Sequence, residues 1–395
     1  MEQWITYKLG KIAECSLGKM LDQRKNKGKP QMYLGNIAVR WGSFNINPSQ
    51  TMLFEDHELT KYKLEINDIV ICEGGEPGRC AMWKSKDTIY IQKALHRVRV
   101  NRNIADPFYV YYYITYLVKS HLLDSYFTGT TIKHLPREQL LSIDIKIPNL
   151  ATQKKIGNIL ENIDSKIDLN RRINDNLEQQ AQALFKSWFV DFEPFKNGKF
   201  VESEIGMIPE GWKVGNLLDV AELSDSKRKP LSAMERSNMN KVYPYYGATS
   251  IMDYVDDYLF DGIYLLMGED GSVMTENGFP YLQYVSGKFW VNNHAHIMQG
   301  KNAFTTEMLH CLLFRKNISE FVTGAVQAKI SQNNMKRIKL AIAPANVLDS
   351  FSKLLDSIYS QIRQKKKESD VLCKKRDLLL PKLMSGKIKI NDLNS

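Results

Sequence analysis

The sequence is poor in the groups that usually carry chemistry. Its 395 residues include five cysteines. Cys15, Cys72, Cys80, Cys311 and Cys373 form neither a Cys-x-x-Cys pair nor a metal-ligand spacing, so reduced, structural thiols are expected. No phosphate loop of the form GxxxxGK[ST] is present, which leaves ATP-driven work to another chain. The Asn/Asp-Pro-Pro-aromatic motif of adenine methyltransferases is missing. The nearest string, Asp106-Pro-Phe108, lacks the second Pro and is expected to start a helix. Gly74-Gly75-Glu76-Pro77-Gly78 follows a strand pattern but opens no helix, so it reads as a tight turn rather than a phosphate cradle. Histidine is scarce, at seven residues. His294 and His296 form an HxH pair with His310 nearby, yet no carboxylate or Cys completes a site in that stretch. Core or groove histidines are expected, and no metal. No N-terminal apolar signal segment occurs, and no apolar run approaches the roughly twenty residues of a membrane span. A soluble, cytoplasmic chain without a membrane partner is expected, catalytic residues none and cofactors none in this chain.

What is present is a globular composition, 43% hydrophobic and 10% aromatic, with a formal charge of +10. The length suits two or three domains, and the charge favours a polyanion partner such as nucleic acid.

The most ordered pattern runs from Thr152 to Trp188. Ile156, Leu160, Ile163, Ile167, Asn170, Asn174, Leu177, Ala181, Leu184 and Trp188 step 4-3-4-3, a heptad seam. Neither Pro nor Gly interrupts residues 159–188. Such a helix is roughly 50–55 Å long at about 1.5 Å per residue, and its single apolar stripe needs a partner. Adding 195 to each position gives Phe351, Leu355, Ile358, Ile362, Lys365, Ser369, Leu372, Arg376, Leu379 and Leu383. Both seams are apolar at the ends and polar in the middle, a device that sets register at some cost in stability. The pattern fits parallel or antiparallel pairing. Antiparallel pairing would put Asn170 near Ser369 and Asn174 near Lys365.

The offset points to a tandem repeat. Trp4 to Glu14 resembles Trp212 to Glu222, and each is followed by a basic stretch, Lys19 to Lys29 and Lys227 to Pro230. The strand pattern at Asp68-Ile-Val-Ile71 with its glycine turn matches Ile263-Tyr-Leu-Leu266 with Gly268-Glu-Asp-Gly271. His96 and His296 sit in similar short strands. Ser142 to Pro148 matches Arg337 to Ile342, each an alternating strand stopped by a Pro before its long helix. The expected plan is a first domain at 1–148, a long helix at 149–190, a linker at 191–204, a second domain at 205–344, a long helix at 345–386 and a tail at 387–395. Helical segments at 107–123 and 305–323 interrupt the strands. The fold class is α+β: two globular domains of mixed strand and helix, each followed by a long helix, the two helices pairing as a coiled coil that the family resemblance given next implies is antiparallel.

The chain closely resembles the specificity subunit of Type I restriction–modification systems. The residues that carry the likeness are Ala183-Leu-Phe-Lys-Ser-Trp-Phe-Val-Asp-Phe192, Leu378-Leu-Leu-Pro-Lys-Leu-Met-Ser-Gly386, Tyr245-Tyr-Gly-Ala248, Tyr258-Leu-Phe-Asp261 and Gly268-Glu-Asp-Gly271. The resemblance implies two target-recognition domains, each reading one half of a split, asymmetric site in double-stranded DNA. It implies an antiparallel helical spacer holding two methyltransferase subunits, and restriction/translocase subunits that join them. S-adenosylmethionine, ATP and Mg would then belong to those partners. The residues agree as far as they go. Duplex DNA presents the same groove face about every 34–36 Å, within reach of two readers on a rod of roughly 50 Å.

Arg and Lys position a protein on phosphates, while Arg, Lys, Asn and Gln read base edges. The DNA-binding candidates are Lys19, Arg24, Lys25, Lys27, Arg79 and Lys133 in the first domain. In the second they are Lys227, Arg228, Lys229, Gln327 and Lys329. Lys133 and Lys329 are matched by their place before each exit strand. The strings Thr128-Gly-Thr-Thr131 and Thr323-Gly-Ala-Val-Gln327 read as exposed turns beside them. Arg363, Lys365, Lys366, Lys367, Lys374, Lys375 and Arg376 on the second long helix form a solvated face or lie over spacer phosphates. The helix-pairing seam is expected at Leu160, Ile163, Ile167, Asn170, Asn174, Leu177, Leu184, Leu355, Ile358, Ile362, Lys365, Leu372 and Leu379. Two other readings compete: a self-contained methyltransferase or nuclease, against which the missing motifs count, and a coiled-coil scaffold, against which the two large basic domains count.

Overall fold

A computed structural model describes residues 4–22, 26–324 and 326–388. The chain forms two compact units. One is Met1–Asp168 with Ser369–Ser395, and the other is Leu169–Glu368. The division cuts each long helix in its middle, so each unit holds half of both helices rather than one domain followed by one helix. Candidates Arg24 and Lys25 lie outside the described residues.

The first unit closes its chain ends together. Ile5–Lys8 pairs antiparallel with Asp144–Ile147. A four-stranded sheet follows in the order Ala13–Leu17, Leu95–Val100, Ile69–Cys72, Cys80–Met82, with a three-stranded sheet of Thr51–Phe54, Lys29–Leu34 and Tyr90–Ile91. The helix Pro107–Lys119 begins where the sequence suggests. Asp106 accepts a hydrogen bond from the Tyr109 N–H (3.0 Å), and Pro107 fills the first turn, where no donor is needed. Leu9, Ile12, Tyr109, Ile145, Ile156 and Leu160 share one core with Leu380, Leu383 and Met384. The two long-helix halves therefore pack on the domain as well as beside one another.

The second unit repeats the scheme. Lys213–Asn216 pairs with Lys339–Ile342. A six-stranded sheet runs in the order Ala221–Leu223, Ala295–Gly300, Phe260–Gly268, Leu282–Val291, Tyr243–Tyr246, Ile251–Val255. A detail repeats too: Tyr33 and Leu34 pair parallel with Tyr90 and Ile91, as Tyr245 and Tyr246 do with Trp290 and Val291. The helix expected over 305–323 is shorter, Thr306–Leu313, followed by a single 3₁₀ turn at Ser319–Phe321.

The long helices are Leu150–Phe189 and Ala345–Met384, each of 40 residues. Within the first unit Asp164 bonds Arg376 (2.8 Å). Within the second, Asn174 Nδ2 donates to the Ile362 carbonyl (3.3 Å), and the rings of Phe185 and Phe351 lie 6.0 Å apart. Within the second unit partner numbers fall along one helix as they rise along the other, so its two halves run antiparallel. Asn170 meets Glu368 (3.1 Å), one residue from the expected Ser369, and Glu368 also pairs with Lys365 (3.2 Å). Asn174 thus bonds one turn before Lys365, the residue it was expected to lie near.

Burial along the seam is uneven. Leu160, Ile163, Leu177, Leu355 and Ile362 are buried, but Ile167, Leu184, Ile358, Leu372 and Leu379 are only half-buried. From Leu177 the buried positions step by four through Ala181, Phe185 and Phe189, which join the second unit's core with Trp212, Met308 and Phe351. A helix that faces both a partner helix and a domain buries a wider stripe than a heptad seam allows.

The segment expected as a linker is ordered. Phe192 and Phe195 pack on Trp212 (5.3 and 5.1 Å between ring centroids), and Phe200–Ser203 forms a hairpin with Gly206–Pro209. Its aromatic residues complete a core, which its Gly and Pro content obscured. No described helix is long and apolar enough to cross a membrane.

Candidate nucleic-acid interface

In each unit a ladder of backbone hydrogen bonds gathers separate loops onto one face. In the first unit Gln92 N–H donates to the Leu34 carbonyl (3.0 Å) and Lys93 N–H to Lys19 (2.7 Å). Glu73 N–H donates to Ala94 (2.9 Å) and Leu135 N–H to Glu73 (2.7 Å). Asn36 Nδ2 adds a bond to the Gly74 carbonyl (2.9 Å). The loop after Leu34, the glycine turn, the turn 92–94 and the hairpin 128–134 are thereby joined. Ile37, Lys93, Ile132, Lys133 and His134 are exposed there.

The second unit builds the same ladder. Asn292 N–H donates to Tyr246 (3.0 Å), Glu269 N–H to His294 (2.8 Å), Ile330 N–H to Glu269 (2.9 Å) and Gly271 N–H to Ala328 (2.8 Å). The hairpins correspond residue for residue: Thr128 bridges His134 as Thr323 bridges Lys329. Lys329 therefore matches His134, not Lys133. Lys227, Lys229, Met252, Val326, Gln327 and Lys329 are exposed in these loops.

Lys27, Lys133, Lys227, Lys229, Gln327 and Lys329 are thus solvent-facing as expected, with Lys329 also 3.4 Å from Glu269. Three candidates are not. Lys19 is 3% exposed, ion-paired with Glu58 and bonded to the Leu53 carbonyl (2.8 Å). Arg79 is held by Glu76 (2.9 Å) and Asn36 Oδ1 (3.0 Å). Arg228 is paired with Glu269 and donates to the carbonyls of Ala295 (2.9 Å) and Asn293 (3.2 Å). All three fasten loops and are spent on protein acceptors. On the second long helix Arg363 is tied to Glu307 (3.0 Å), Lys365 to Glu368 and Arg376 to Asp164. Lys366, Lys367, Lys374 and Lys375 remain as a solvated face. Sequence reasoning missed Ile37, Lys93, His134 and Met252. The signal for Lys93 was the matched pair His96 and His296, since the turns that expose Lys93 and Asn293 lie just ahead of them.

The two histidines occupy one place in two electrostatic settings. His96 Nε2 bonds the Leu135 carbonyl and His296 Nε2 the Ile330 carbonyl, both at 2.8 Å. Nδ1 of His96 faces the Cys15 thiol at 3.9 Å, whereas Nδ1 of His296 meets the Asp225 carboxylate at 2.6 Å. Burial holds His96 below its ordinary 6.5. Burial would lower His296 as well, but the bond to Asp225 and its charge hold His296 above 6.5. Burial would raise Asp225, which His296, the Ile297 N–H and Gln332 instead hold below 3.8.

The stabilisation of the Asp225–His296 pair is therefore full between 3.8 and 6.5. It is lost as pH falls through the lowered Asp225 pKa or rises through the raised His296 pKa. His96 has the opposite sign, since its neutral burial is disfavoured as pH falls below 6.5. Hydrogen exchange followed peptide by peptide should show the second unit gaining protection from pH 8 to 5.5 while the first loses it. Asp225→Asn should remove the second unit's gain, and the same response in both units would contradict this assignment.

Asp225, Glu269 and His296 place ligand atoms within 4.8 Å of one another. The cation there is Arg228, paired with Glu269 and 4.0 Å from Asp225, so the cluster is a side-chain salt network. Cys15, Cys80 and Cys311 are pushed up to about 12 by burial, which leaves them without thiolate character at neutral pH. What the faces can do chemically is offer cations, amides and aliphatic groups to a polyanion.

The family model for the Type I restriction modification DNA specificity domain matches residues 1–179 and 209–372, the two halves of the repeat. The chain is 27% identical over 305 residues to the MjaIX specificity subunit of a type I restriction enzyme from Methanocaldococcus jannaschii, covering 71% of this chain and 70% of that relative. It is 23% identical over 354 residues to the MjaVIII specificity subunit of the same organism, covering 83% and 80%. The crystal structure of a Type I restriction–modification S subunit from M. genitalium matches with a TM-score of 0.54 at 18% identity, over 97% of this chain and 96% of that one. That likeness shows a shared fold.

Proposed function

Since the chain belongs to the Type I restriction–modification DNA specificity family, we propose that it reads a bipartite, asymmetric duplex site, one half through each unit, and directs partner methyltransferase and restriction subunits to it. The observation that carries this reading is the repeated ladder: one scaffold, twice, presenting different exposed side chains. Half-sites read by such faces differ in sequence. The chain itself is non-catalytic in this reading. S-adenosylmethionine, ATP and Mg act in two methyltransferase subunits and in the restriction/translocase subunits, in the cytoplasm, and the long helices serve as the spacer between half-sites.

The test is a binding titration against salt. Affinity should fall steeply with salt as Lys and Arg release counterions from phosphates. Replacing Lys227 and Lys229 together by Ala should lower affinity and reduce the log–log salt slope by about 1.8, from about 0.9 per phosphate contact. Lys19→Ala should instead leave the slope unchanged and lower stability. A slope insensitive to Lys227 and Lys229 would turn that loop away from DNA, and no binding to duplex under any salt would remove the reading.

A further inference from the structure

We propose that the hairpins 128–134 and 323–329 read thymine through its 5-methyl group, with Ile132 and Val326 as the side chains that meet it. The inference rests on the DNA-binding reading above and assigns side chains within it.

Ile132 is 64% exposed and Val326 105%. Each lies in a loop that begins with a glycine in the left-handed region and is closed by a backbone bridge. Gly129 and Gly324 have φ of +90° and +97°, which other residues adopt only with strain. A Cβ on either would collide with the carbonyl oxygen of Ile132 or Gln327, respectively. Paired backbone bonds close both loops, Thr128 with His134 (2.8 Å each way) and Thr323 with Lys329 (2.8 and 2.7 Å). The aliphatic group is thus presented at little further entropic cost on binding.

The neighbours point to the partner. A protein-binding surface offers a contiguous apolar patch. These side chains stand instead beside exposed Lys133 and His134 in the first unit, and Gln327 and Lys329 in the second. An exposed aliphatic group with a cation beside it complements a charged ligand that carries a small apolar spot. In duplex DNA the thymine methyl is that spot, and it is displayed only in the major groove. Counted from the glycine, Val326 matches Thr131 and Ile132 matches Gln327. The two hairpins therefore place their aliphatic group one residue apart, and the thymine each reads should fall at a different position in its half-site.

The experiment selects binders from a randomised duplex pool prepared with thymidine, and from the same pool prepared with deoxyuridine, which lacks only the methyl. The wild-type chain should enrich A·T pairs at defined positions in both halves of the site with thymidine. It should lose about fourfold in affinity for each contacted methyl removed, the worth of one buried carbon. Val326→Ala should abolish the thymine-over-uracil preference in one half only, and Ile132→Ala in the other half only. Both positions are exposed, and circular dichroism checks that the variants fold. Equal affinity of the wild-type chain for both pools would overturn the proposal, as would Ala variants that keep the preference. Weakened capture of a methyltransferase subunit with unaltered DNA selection would assign the hairpins to a protein contact. Failure to select any motif from either pool would instead overturn the DNA-reading function itself.

Discussion

Asp225→Ala is expected to destabilise the second unit by about 3–5 kcal/mol, the usual cost of removing one partner from a buried ion pair. The side chains of Asp225 and His296 are 5% and 1% exposed. Beyond His296, Asp225 accepts bonds from the Ile297 N–H (2.8 Å) and Gln332 Nε2 (2.7 Å). Deleting it strands three donors and leaves Arg228 with one carboxylate fewer. The loop that carries Lys227 and Lys229 is anchored there, so DNA affinity should fall with stability. Asp225→Asn keeps the shape and some of the bonds and should cost less. Urea denaturation of the full chain should show one transition displaced, that of residues 169–368. An undisplaced transition would mean that the network contributes nothing net.

Exchange of residues 1–148 for the corresponding domain of another specificity subunit should change one half of the methylated motif completely and leave the other half as it was. The expectation follows from the repeat: each unit closes its own sheets and core, and each recognition ladder is built within one unit. Long-read mapping of methylated adenines in cells carrying the chimaera measures it. A change in both halves would mean that the units do not read independently.

Much of the fold was legible because repeats and periodicity are local or self-referential signals. The strands at 5–8 and 213–216 follow from a pattern written twice in the chain, and the helix start at Asp106 from its Asp-Pro string, but the direction of the long helices does not, since each polar break is central and fits either pairing. Burial by a third element was not legible. Phe185 and Phe189 replace Leu184 and Trp188 on the buried stripe because a domain packs there, and a heptad template cannot contain that domain. The exposure of the candidate residues was half legible. Loop charge and turn chemistry found exposed side chains at Lys133, Lys227, Lys229 and Gln327, but whether a cation is spent internally depends on distant acceptors. Glu58 lies 39 residues from Lys19, and Glu269 lies 41 from Arg228. No window along the sequence brings those pairs together.

The most direct measurement of the central claim is methylation by purified components. The chain alone, a cognate methyltransferase subunit alone, and the two together would each be incubated with S-adenosylmethionine and a plasmid of varied sequence, and modified adenines mapped. No modification is expected from the chain alone, and modification confined to one split, asymmetric motif is expected when both are present. Adenine methylation by this chain without its partner, or modification by the pair without any sequence preference, would contradict it.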